Sequence, residues 1–386
     1  MKTSDLLRYD QTLFVDRDVF DFAYVPGQIH HRDAQIRELA HLAGPGMQGH
    51  APHNAILRGP PGTGKTSTIH HLFAAIRSET QTLLPVHINC EIDRTRFAVF
   101  ARIYQEFSGY TPSPSGTSIS DVMRRIDRAM AERECSLLVC LDDATHLLCE
   151  QELSTVLYTL LRFHETYRGR RVAVFAIVGD PGLDLQQQMD ARVHSIFQPA
   201  EVVFPHYTAD EIRGILGDRV RQGLYPHVLP PALLDEVVER TRAGGDMRIG
   251  IGLVRRAVEI AELDARRQVT PEDLEAAVRQ VVAPTLQSRV RRLRERERAL
   301  LYMIARLAAS GGVEMTAGTV HRALLEMGEE IGYTTFHERL KTFEAADLVD
   351  LPIVASRGRR RRVILRYPPE EVVEACTRVL RIPAAG

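Results

Sequence analysis

The feature that most constrains this chain is a glycine-rich segment, Gly59-Pro-Pro-Gly-Thr-Gly-Lys-Thr66, which fits the pattern G-x-x-x-x-G-K-[ST]. An apolar stretch at 55–57 leads into it as a strand, and a helical run at 67–76 leads out. Glycines let the backbone bend until successive N–H groups point inward at phosphate oxygens, and the following helix adds its positive N-terminal end. Strand, loop and helix together predict a phosphate-binding loop rather than a chance turn.

Two side chains of this loop carry the expected chemistry. Lys65 is expected to reach the β- and γ-phosphates of a nucleotide, and Thr66 to hold Mg²⁺ through its hydroxyl. The chain has only three lysines among its 49 Lys and Arg residues, which indicates that lysine is chemically required here. The residues expected to cradle the phosphates are Gly59, Pro60, Pro61, Gly62, Thr63, Gly64, Lys65, Thr66 and Ser67.

Composition excludes a membrane protein. The chain has 44% hydrophobic and 26% charged residues, and none of its apolar runs approaches the roughly 20 residues that a membrane span needs. Its first residues are polar, unlike a signal peptide. Five cysteines without a C-x-x-C pair indicate reduced thiols, so we expect a cytoplasmic protein with no membrane partner.

The charge is unevenly distributed along the chain. Residues 286–386 hold 18 Lys and Arg against 13 Asp and Glu, a net charge of +5, whereas the other 285 residues hold 31 against 37, a net charge of −6. A basic C-terminal part is typical of proteins that contact a polyanion. A solvated charged surface would give the same counts, so charge alone leaves both interpretations open.

Strands and helices alternate up to about residue 203. The runs at 137–141 and 172–178 are continuously apolar, as central strands of a parallel sheet are when both faces are buried. Further strands are predicted at 55–57 and 84–89, and helices at 31–42, 67–76, 97–107, 122–131 and 153–167. The alternation predicts an α/β domain, a parallel sheet flanked by helices, over residues 1–203.

From residue 204 the pattern is helical. Capping signals at Thr208–Glu211 and Thr270–Asp273 open two of the helices. The helices predicted for a domain over 204–285, which ends near Pro284, are 212–220, 233–242, 248–263 and 274–282.

The last part of the chain combines helices with short extended runs. Helices are predicted at 299–309, 320–327 and 333–346, and extended runs at 348–354 and 361–367 on either side of an arginine-rich turn. Helices followed by a basic hairpin predict a winged-helix domain over residues 286–386.

Acidic residues follow the two apolar strands. Asp142 is expected to reach Mg²⁺, directly or through water, and Asp143 to polarise an attacking water. Capping of the next helix is the alternative for this pair. After the strand at 172–178, Gly179 has no side chain, so only Asp180 would orient water there, and a helix cap explains it equally well.

Two arginines are candidates for contact with the γ-phosphate. Arg192 would act as an arginine finger on the nucleotide of a neighbouring subunit, and Arg248, at the start of a helix, would reach the phosphate from the second domain. Taken alone, each would be an ordinary surface residue.

The helix at 333–346 has an apolar face and a polar face. Phe336, Leu340 and Phe343 recur at the spacing of one buried face. The opposite face is expected to enter the major groove of DNA with Thr334, Thr335, Glu338, Lys341 and Thr342. The turn that follows is expected to contact phosphates or a narrow minor groove with Arg357, Arg359, Arg360, Arg361 and Arg362. A solvated loop is the alternative for this arginine run.

Four features resemble the motifs of an AAA+ ATPase, and they follow one another in the same order along the chain. They are the glycine-rich loop, the acidic pair, Arg192 and the segment Gly245-Asp-Met-Arg248. Three further features narrow the resemblance to the archaeal origin-recognition (Orc/Cdc-type) replication initiators. They are the segment Val25-Pro-Gly-Gln-Ile-His-His-Arg32, the run Phe204-Pro-His-Tyr and the winged-helix layout. The match covers residues from about 10 to 375.

The resemblance implies roles for individual residues. Asp142 and Asp143 correspond to Walker B, Arg192 to the arginine finger and Arg248 to the sensor-two arginine. The segment that leads into the adenine pocket would contribute Val25, Pro26 and Arg32. A family insertion before Walker B corresponds to residues 97–116, beside which Arg94, Arg96 and Arg102 are candidates for DNA contact.

The resemblance also implies cofactors and partners. The cofactors are ATP or ADP with Mg²⁺, and the partners are duplex origin DNA, the replicative helicase and other initiator subunits. Two positions depart from the family pattern, since Asp143 stands where a glutamate is usual and Gly179 with Asp180 replaces the sensor-one asparagine. Because the placement of water is sensitive to fractions of an ångström, we expect tight nucleotide binding with slow hydrolysis.

The sequence favours an ATP-binding initiator that recognises specific duplex DNA and helps to load a helicase. Two alternatives stay open. One is a DNA-binding regulator derived from such an initiator, and the other is a clamp-loader-like ATPase whose C-terminal domain binds protein. The arginine-rich turn and the basic C-terminal part argue against the last.

Overall fold

The computed structural model describes residues 12–179, 183, 185–311, 315–356 and 358–380. The chain forms two compact units, one of residues 25–206 and one that combines the residues up to Tyr24 with those from Tyr207 onward. In the described ranges, no helix has both the length and the apolar composition that a membrane crossing requires. The division into three domains at residues 203 and 285 stays a prediction.

The unit Val25–His206 is built on a five-stranded parallel sheet. Its strands in chain order are β1 (Ala55–Arg58), β2 (Leu83–Asn89), β3 (Ser136–Asp142), β4 (Val172–Val178) and β5 (Ala200–Val203). They lie side by side in the order β2-β3-β4-β1-β5, and each neighbouring pair is parallel. The predicted α/β fold is confirmed, and β5 is a strand that the sequence pattern did not indicate.

Helices cover both faces of this sheet. They are α1 (Asp33–Met47), α2 (Lys65–Glu79), α3 (Arg96–Ser108), α4 (Ile119–Arg133), α5 (Glu152–Leu161), α6 (Phe163–Thr166) and α7 (Ala191–His194). Side chains of α1 and α2 share one core with Leu138 and Cys140 of β3, and those of α3, α4 and α5 share another with Leu137, Val139 and Leu141. Because β3 faces an apolar core on both sides, every one of its positions is buried.

The second unit is mainly helical. Its helices are α8 (Ala209–Gly223), α9 (Pro231–Gly244), α10 (Met247–Leu263), α11 (Pro271–Arg292), α12 (Glu295–Ser310), α13 (Ala317–Glu326), α14 (Tyr333–Ala345) and α15 (Pro369–Leu380). Its short strands are β6 (Val349–Asp350), β7 (Ile353–Ser356), β8 (Gly358–Arg361) and β9 (Ile364–Leu365). Strands β7 and β8 form an antiparallel hairpin after α13 and α14, which is the winged-helix arrangement. Both predicted capping boxes, at Thr208 and Thr270, are present.

Helix α11 is longer than the sequence predicts. The predicted end of this helix at residue 282 is wrong, because the helix continues through Pro284 to Arg292. A proline in a helix removes one backbone hydrogen bond. Val282, Leu286 and Val290, spaced four residues apart, are all buried, so the apolar face continues across the proline. Packing of this face outweighs the lost bond.

The N-terminal residues from 12 to 24 pack on the second unit. The carboxylate of Glu262 on α10 accepts hydrogen bonds from Leu13 N at 2.7 Å, Thr12 Oγ1 at 2.8 Å and Arg17 Nη2 at 2.7 Å. Phe14 forms an antiparallel bridge with Leu224. This segment is therefore joined to the helices α8 and α10.

A buried polar cluster joins α11 to the winged helix. Arg289 Nη1 donates to Tyr367 Oη at 2.7 Å and to the Asp347 carbonyl at 3.0 Å, and Arg366 Nη1 donates to Asp347 Oδ1 at 2.9 Å. Burial raises the pKa of the Tyr367 phenol to about 12. The cluster lies in the same core as α10 and α12.

The raised pKa of Tyr367 predicts a loss of stability in alkali. The pKa of this phenol is higher in the folded chain than the value of about 10 in the unfolded chain, so the protonated phenol contributes to the unfolding free energy. That contribution is complete below about pH 10 and is lost as pH rises through about 12. From about pH 9 to 12, wild type should lose on the order of 2 kcal/mol more unfolding free energy than Tyr367→Phe. Denaturant unfolding across this range measures the difference. Equal losses in both proteins would contradict the prediction.

The close packing of Gly59 predicts a second effect on stability. A Cβ at residue 59 would lie 2.2 Å from the carbonyl oxygen of Phe204, which is backbone and cannot give way. We expect Gly59→Ala to lower the unfolding free energy by about 2 kcal/mol. Gly318 in α13 has nothing within 4 Å of an added Cβ, so Gly318→Ala is the matched control and should be neutral or slightly stabilising. Unchanged thermal stability in Gly59→Ala would refute the close approach.

Candidate functional site

The glycine-rich loop leaves β1 at the carboxyl edge of the sheet and continues into α2. Gly62 and Gly64 have φ angles of 72° and 87°, a left-handed backbone that residues with a Cβ rarely adopt. Gly59 N donates to the Val178 carbonyl at 3.3 Å, and the Thr63 hydroxyl donates to the Pro60 carbonyl at 2.8 Å. The nine residues predicted to cradle phosphate therefore form one tight turn and the first turn of α2.

Lys65 lies under this turn. Its ammonium donates to the carbonyls of Gly59 and Pro60, each at 2.7 Å, and the residue is 6% exposed. A buried cation costs free energy unless oxygen atoms surround it. The loop thus supplies a positive charge and a helix N-terminus within a few residues, which is the chemistry that a phosphate group requires.

Arg32 supports the loop from the chain before it. Its Nε donates to the Thr63 carbonyl at 3.0 Å and its Nη2 to the Pro205 carbonyl at 2.7 Å, and the residue is 2% exposed. The guanidinium therefore ties the loop to the segment that follows β5. Direct contact of Arg32, Val25 and Pro26 with a nucleotide stays a prediction, and Val25 is exposed at the start of this unit.

The acidic pair lies at the carboxyl end of β3, on the same edge of the sheet as the loop, because all five strands are parallel. Asp142 is 7% exposed, and its Oδ2 lies 2.9 Å from Nε2 of His87 on β2. Asp143 is exposed and has a φ of 53°, an uncommon backbone for a residue other than glycine. The structure therefore holds the two carboxylates in different environments, one buried and one open.

The oxygen donors at this edge suit Mg²⁺. Thr66 offers a hydroxyl in the first turn of α2, and Asp142 offers a carboxylate at the end of β3. In the described ranges, no three His, Cys, Asp or Glu side chains cluster as a metal site. Mg²⁺ that accompanies a nucleotide needs no such cluster, because phosphates and water complete its octahedral shell.

The position after β4 faces the second acid. A Cβ placed on Gly179 would lie 3.7 Å from Asp143 Oδ1, an ordinary contact distance. The residue after β4 therefore lies near Asp143, but glycine has no side chain that could contact its carboxylate. Asp180, the other candidate there, lies outside the described residues.

The two candidate arginines lie in different units. The side chain of Arg192 on α7 is 77% exposed, with its guanidinium 3.8 Å from Asp190, so it is accessible to a neighbouring molecule. Arg248 lies at the start of α10, where Nε and Nη2 donate to the Asp246 carboxylate at 3.1 Å and 2.9 Å. Contact of either arginine with a nucleotide stays a prediction.

Helix α14 presents the polar face that the sequence predicts. Phe336, Leu340 and Phe343 are fully buried. The residues exposed on this helix include all five candidates for base contact, Thr334, Thr335, Glu338, Lys341 and Thr342. Tyr333 at its first position is 52% exposed as well. The helix thus has a continuous polar surface with an aromatic ring at its N-terminal end.

The arginine-rich hairpin follows this helix. Arg361 ends β8 opposite Ile353 of β7, and Arg362 is exposed and bridges to Thr316. For Arg359 and Arg360 the structure describes the backbone, which lies in β8, and Arg357 lies outside the described residues. In the other unit, Arg94 is exposed, Arg96 begins α3, and Arg102 Nε donates to Asp93 at 3.1 Å.

Sequence patterns did not single out His87 or Tyr333. His87 lies in the strand predicted at 84–89, between the apolar residues Val86 and Ile88, and the structure places it beside the buried Asp142. Tyr333 begins the helix predicted at 333–346, and the structure shows that its side chain is exposed. A polar residue inside an apolar strand and an aromatic residue at a helix start are the signals that would have found them.

Comparison with known proteins gives two family matches. Residues 28–175 match the model of an AAA ATPase domain, and residues 213–279 match the model of a Cdc6 AAA+ ATPase-type lid domain. The ORC1-type DNA replication protein 3 of Haloarcula marismortui is 38% identical, over 96% of this chain and 97% of the relative. The ORC1-type DNA replication protein 2 of Methanosarcina mazei is 37% identical, over 97% and 98%.

Solved structures share the fold. The Aeropyrum pernix ORC2 protein in ADPNP–ADP complexes has a TM-score of 0.77 at 24% identity, over 96% of this chain and 98% of that chain. The Aeropyrum pernix ORC1 protein in complex with DNA has a TM-score of 0.64 at 24% identity, with the same coverage. The relatives at 37% and 38% identity match over nearly their whole length, and the chain therefore belongs to the ORC1-type DNA replication protein family of archaeal AAA+ initiators.

Proposed function

We propose that this protein recognises specific duplex DNA at replication origins, that bound ATP or ADP sets its conformation, and that it helps to load the replicative helicase together with other initiator subunits. The observation that carries the proposal is the exposed polar face of α14 beside the hairpin with Arg361 and Arg362. A helix with an exposed polar face suits a major groove, and a basic hairpin suits the adjacent phosphates. The DNA complex of the Aeropyrum pernix ORC1 protein supports this use of the fold.

The nucleotide side of the proposal rests on the loop. Lys65 and the first turn of α2 would bind the phosphates, and Thr66 and Asp142 would hold Mg²⁺. A cation held by these two residues would supply the charge neutralisation that phosphate oxygens require. The ADPNP–ADP complexes of the Aeropyrum pernix ORC2 protein support nucleotide binding by this fold.

Slow hydrolysis follows from the groups around Asp143. Asp143 has a shorter side chain than the glutamate usual at this position, and Gly179 has no side chain that could contact its carboxylate. Water would therefore be held by fewer contacts than general-base chemistry requires. A nucleotide that stays bound for long would favour a switch between conformations over a motor.

DNA binding by the hairpin gives a quantitative prediction. Replacing Arg361 and Arg362 by alanine should lower the slope of log affinity against log salt by about two, since each lost phosphate contact removes about 0.9. Arg221→Ala on α8, whose side chain is 72% exposed, is the control and should leave the slope unchanged. Titration of fluorescent duplex DNA at several salt concentrations measures it. Identical slopes in the hairpin variant and wild type would exclude phosphate contact by these two arginines.

Selection of fragmented host genome by the same proteins tests the origin role. Enrichment of a few loci with repeated sites, lost in the hairpin variant, is the expected result, and those loci should be replication start regions. Scattered promoters would favour an initiator-derived regulator instead. No enrichment over bulk DNA would favour a clamp-loader-like ATPase with a protein partner.

Hydrolysis gives a gain-of-function prediction. Wild type should turn over ATP well below about 1 s⁻¹. Asp143→Glu combined with Gly179→Asn should raise the single-turnover rate by about tenfold, because the pair restores a longer acid and an amide that faces it. A Cβ added at residue 179 would make only an ordinary contact, 3.7 Å from Asp143 Oδ1. Lys65→Ala is the control for nucleotide binding, and brisk turnover by wild type would contradict the proposal.

A further inference from the structure

A pair of histidines lies behind the acid proposed to hold Mg²⁺. Nε2 of His87 is 2.9 Å from Oδ2 of Asp142, and the two side chains are 21% and 9% exposed. The ring of His87 in turn packs against the ring of His70, with centroids 4.4 Å apart and planes tilted by 42°. His87 belongs to β2, Asp142 to β3 and His70 to α2, so the contact joins three elements.

The contact with Asp142 assigns a donor role to Nε2 of His87. A carboxylate oxygen accepts, so Nε2 carries the proton that it donates. A carboxylate this deeply buried costs free energy unless a donor compensates for the lost water. His87 supplies that donor to one oxygen and leaves the other to a cation.

His70 fixes the ring of His87 from the phosphate-loop helix. It lies four residues after Thr66, on the same face of α2. Burial, and after it the proximity of His87, lowers the pKa of the His70 imidazole, so the ring is neutral near pH 7. A neutral ring packs beside His87 without adding a positive charge under the site.

We propose that His87 is a positioning residue that aims the Asp142 carboxylate at Mg²⁺, and that His70 holds the His87 ring in place. The inference rests on the proposed role of Asp142 and Thr66 in an ATP–Mg²⁺ site. Mg²⁺ demands nearly ideal octahedral geometry, and hydrogen bonds to its ligands commonly set that geometry. His70 on α2 packs against His87 on β2, and His87 is hydrogen-bonded to Asp142 on β3. The pair would therefore fix the hydroxyl of Thr66 and the carboxylate of Asp142 relative to each other.

The decisive comparison uses two side chains of similar length. His87→Gln keeps an N–H that can donate to Asp142, and His87→Met does not. The measurement is binding of a fluorescent ADP to the full-length protein, first in EDTA and then across a Mg²⁺ titration. His41 on α1 is exposed, so His41→Met is the matched control.

We expect His87→Met to raise the Mg²⁺ concentration at half effect by about 10- to 100-fold, the usual cost of losing such a supporting hydrogen bond. His87→Gln should stay within about threefold of wild type, and binding in EDTA should be unchanged in both. His70→Leu should shift the Mg²⁺ midpoint in the same direction by a smaller factor. Thermal unfolding of each variant checks that the fold is kept.

Two results would overturn the inference. One is an unchanged Mg²⁺ midpoint in His87→Met, and the other is an equal loss of affinity with and without Mg²⁺, which indicates a purely structural role. Asp142→Asn in the same assay separates this failure from that of the proposed function. If Asp142→Asn abolishes the Mg²⁺ effect and His87→Met does not, only the histidine inference fails. Nucleotide binding by wild type that ignores Mg²⁺ would overturn both.

Discussion

The sheet unit depends on how closely its glycine-rich loop is held against the surrounding backbone. Gly59 leaves no room for a side chain beneath Phe204, and the buried Lys65 and Arg32 donate to main-chain carbonyls of the loop. Each of these contacts uses a backbone acceptor, so the loop is held by its own chain. A site whose donors are already in position loses less entropy when a nucleotide binds.

Two neighbouring acidic residues at the same edge of the sheet differ in burial and in backbone conformation. Asp142 is buried and receives a hydrogen bond from His87, whereas Asp143 is exposed with a left-handed φ. Left-handed backbone at a residue with a Cβ costs free energy and persists only where neighbours enforce it. The carboxylate proposed to hold the metal is thus well supported, and the carboxylate proposed to direct water faces a glycine. The proposed roles in metal binding and in water activation would therefore rest on two carboxylates in different environments.

Much of the fold and the glycine-rich loop could be predicted from the sequence. The features that could not be predicted have physical causes. The loop and the apolar strands at β3 and β4 were recognisable because backbone geometry and two-sided burial restrict residue choice locally. The continuation of α11 past Pro284 was not, since it depends on burial of Leu286 and Val290 by elements distant in sequence. The hydrogen bond from His87 to Asp142 joins residues 55 apart. Contacts of that kind leave no periodic signal.

The lid helices and the winged helix of the second unit share a single core. Arg240 on α9 bonds to Glu371 on α15 at 3.1 Å, and the cluster of Arg289 with Tyr367 closes the same junction. Packed interiors shift as bodies rather than deform continuously. A displacement of the lid helices would therefore carry α14 with it, because Phe336, Leu340 and Phe343 belong to the same core.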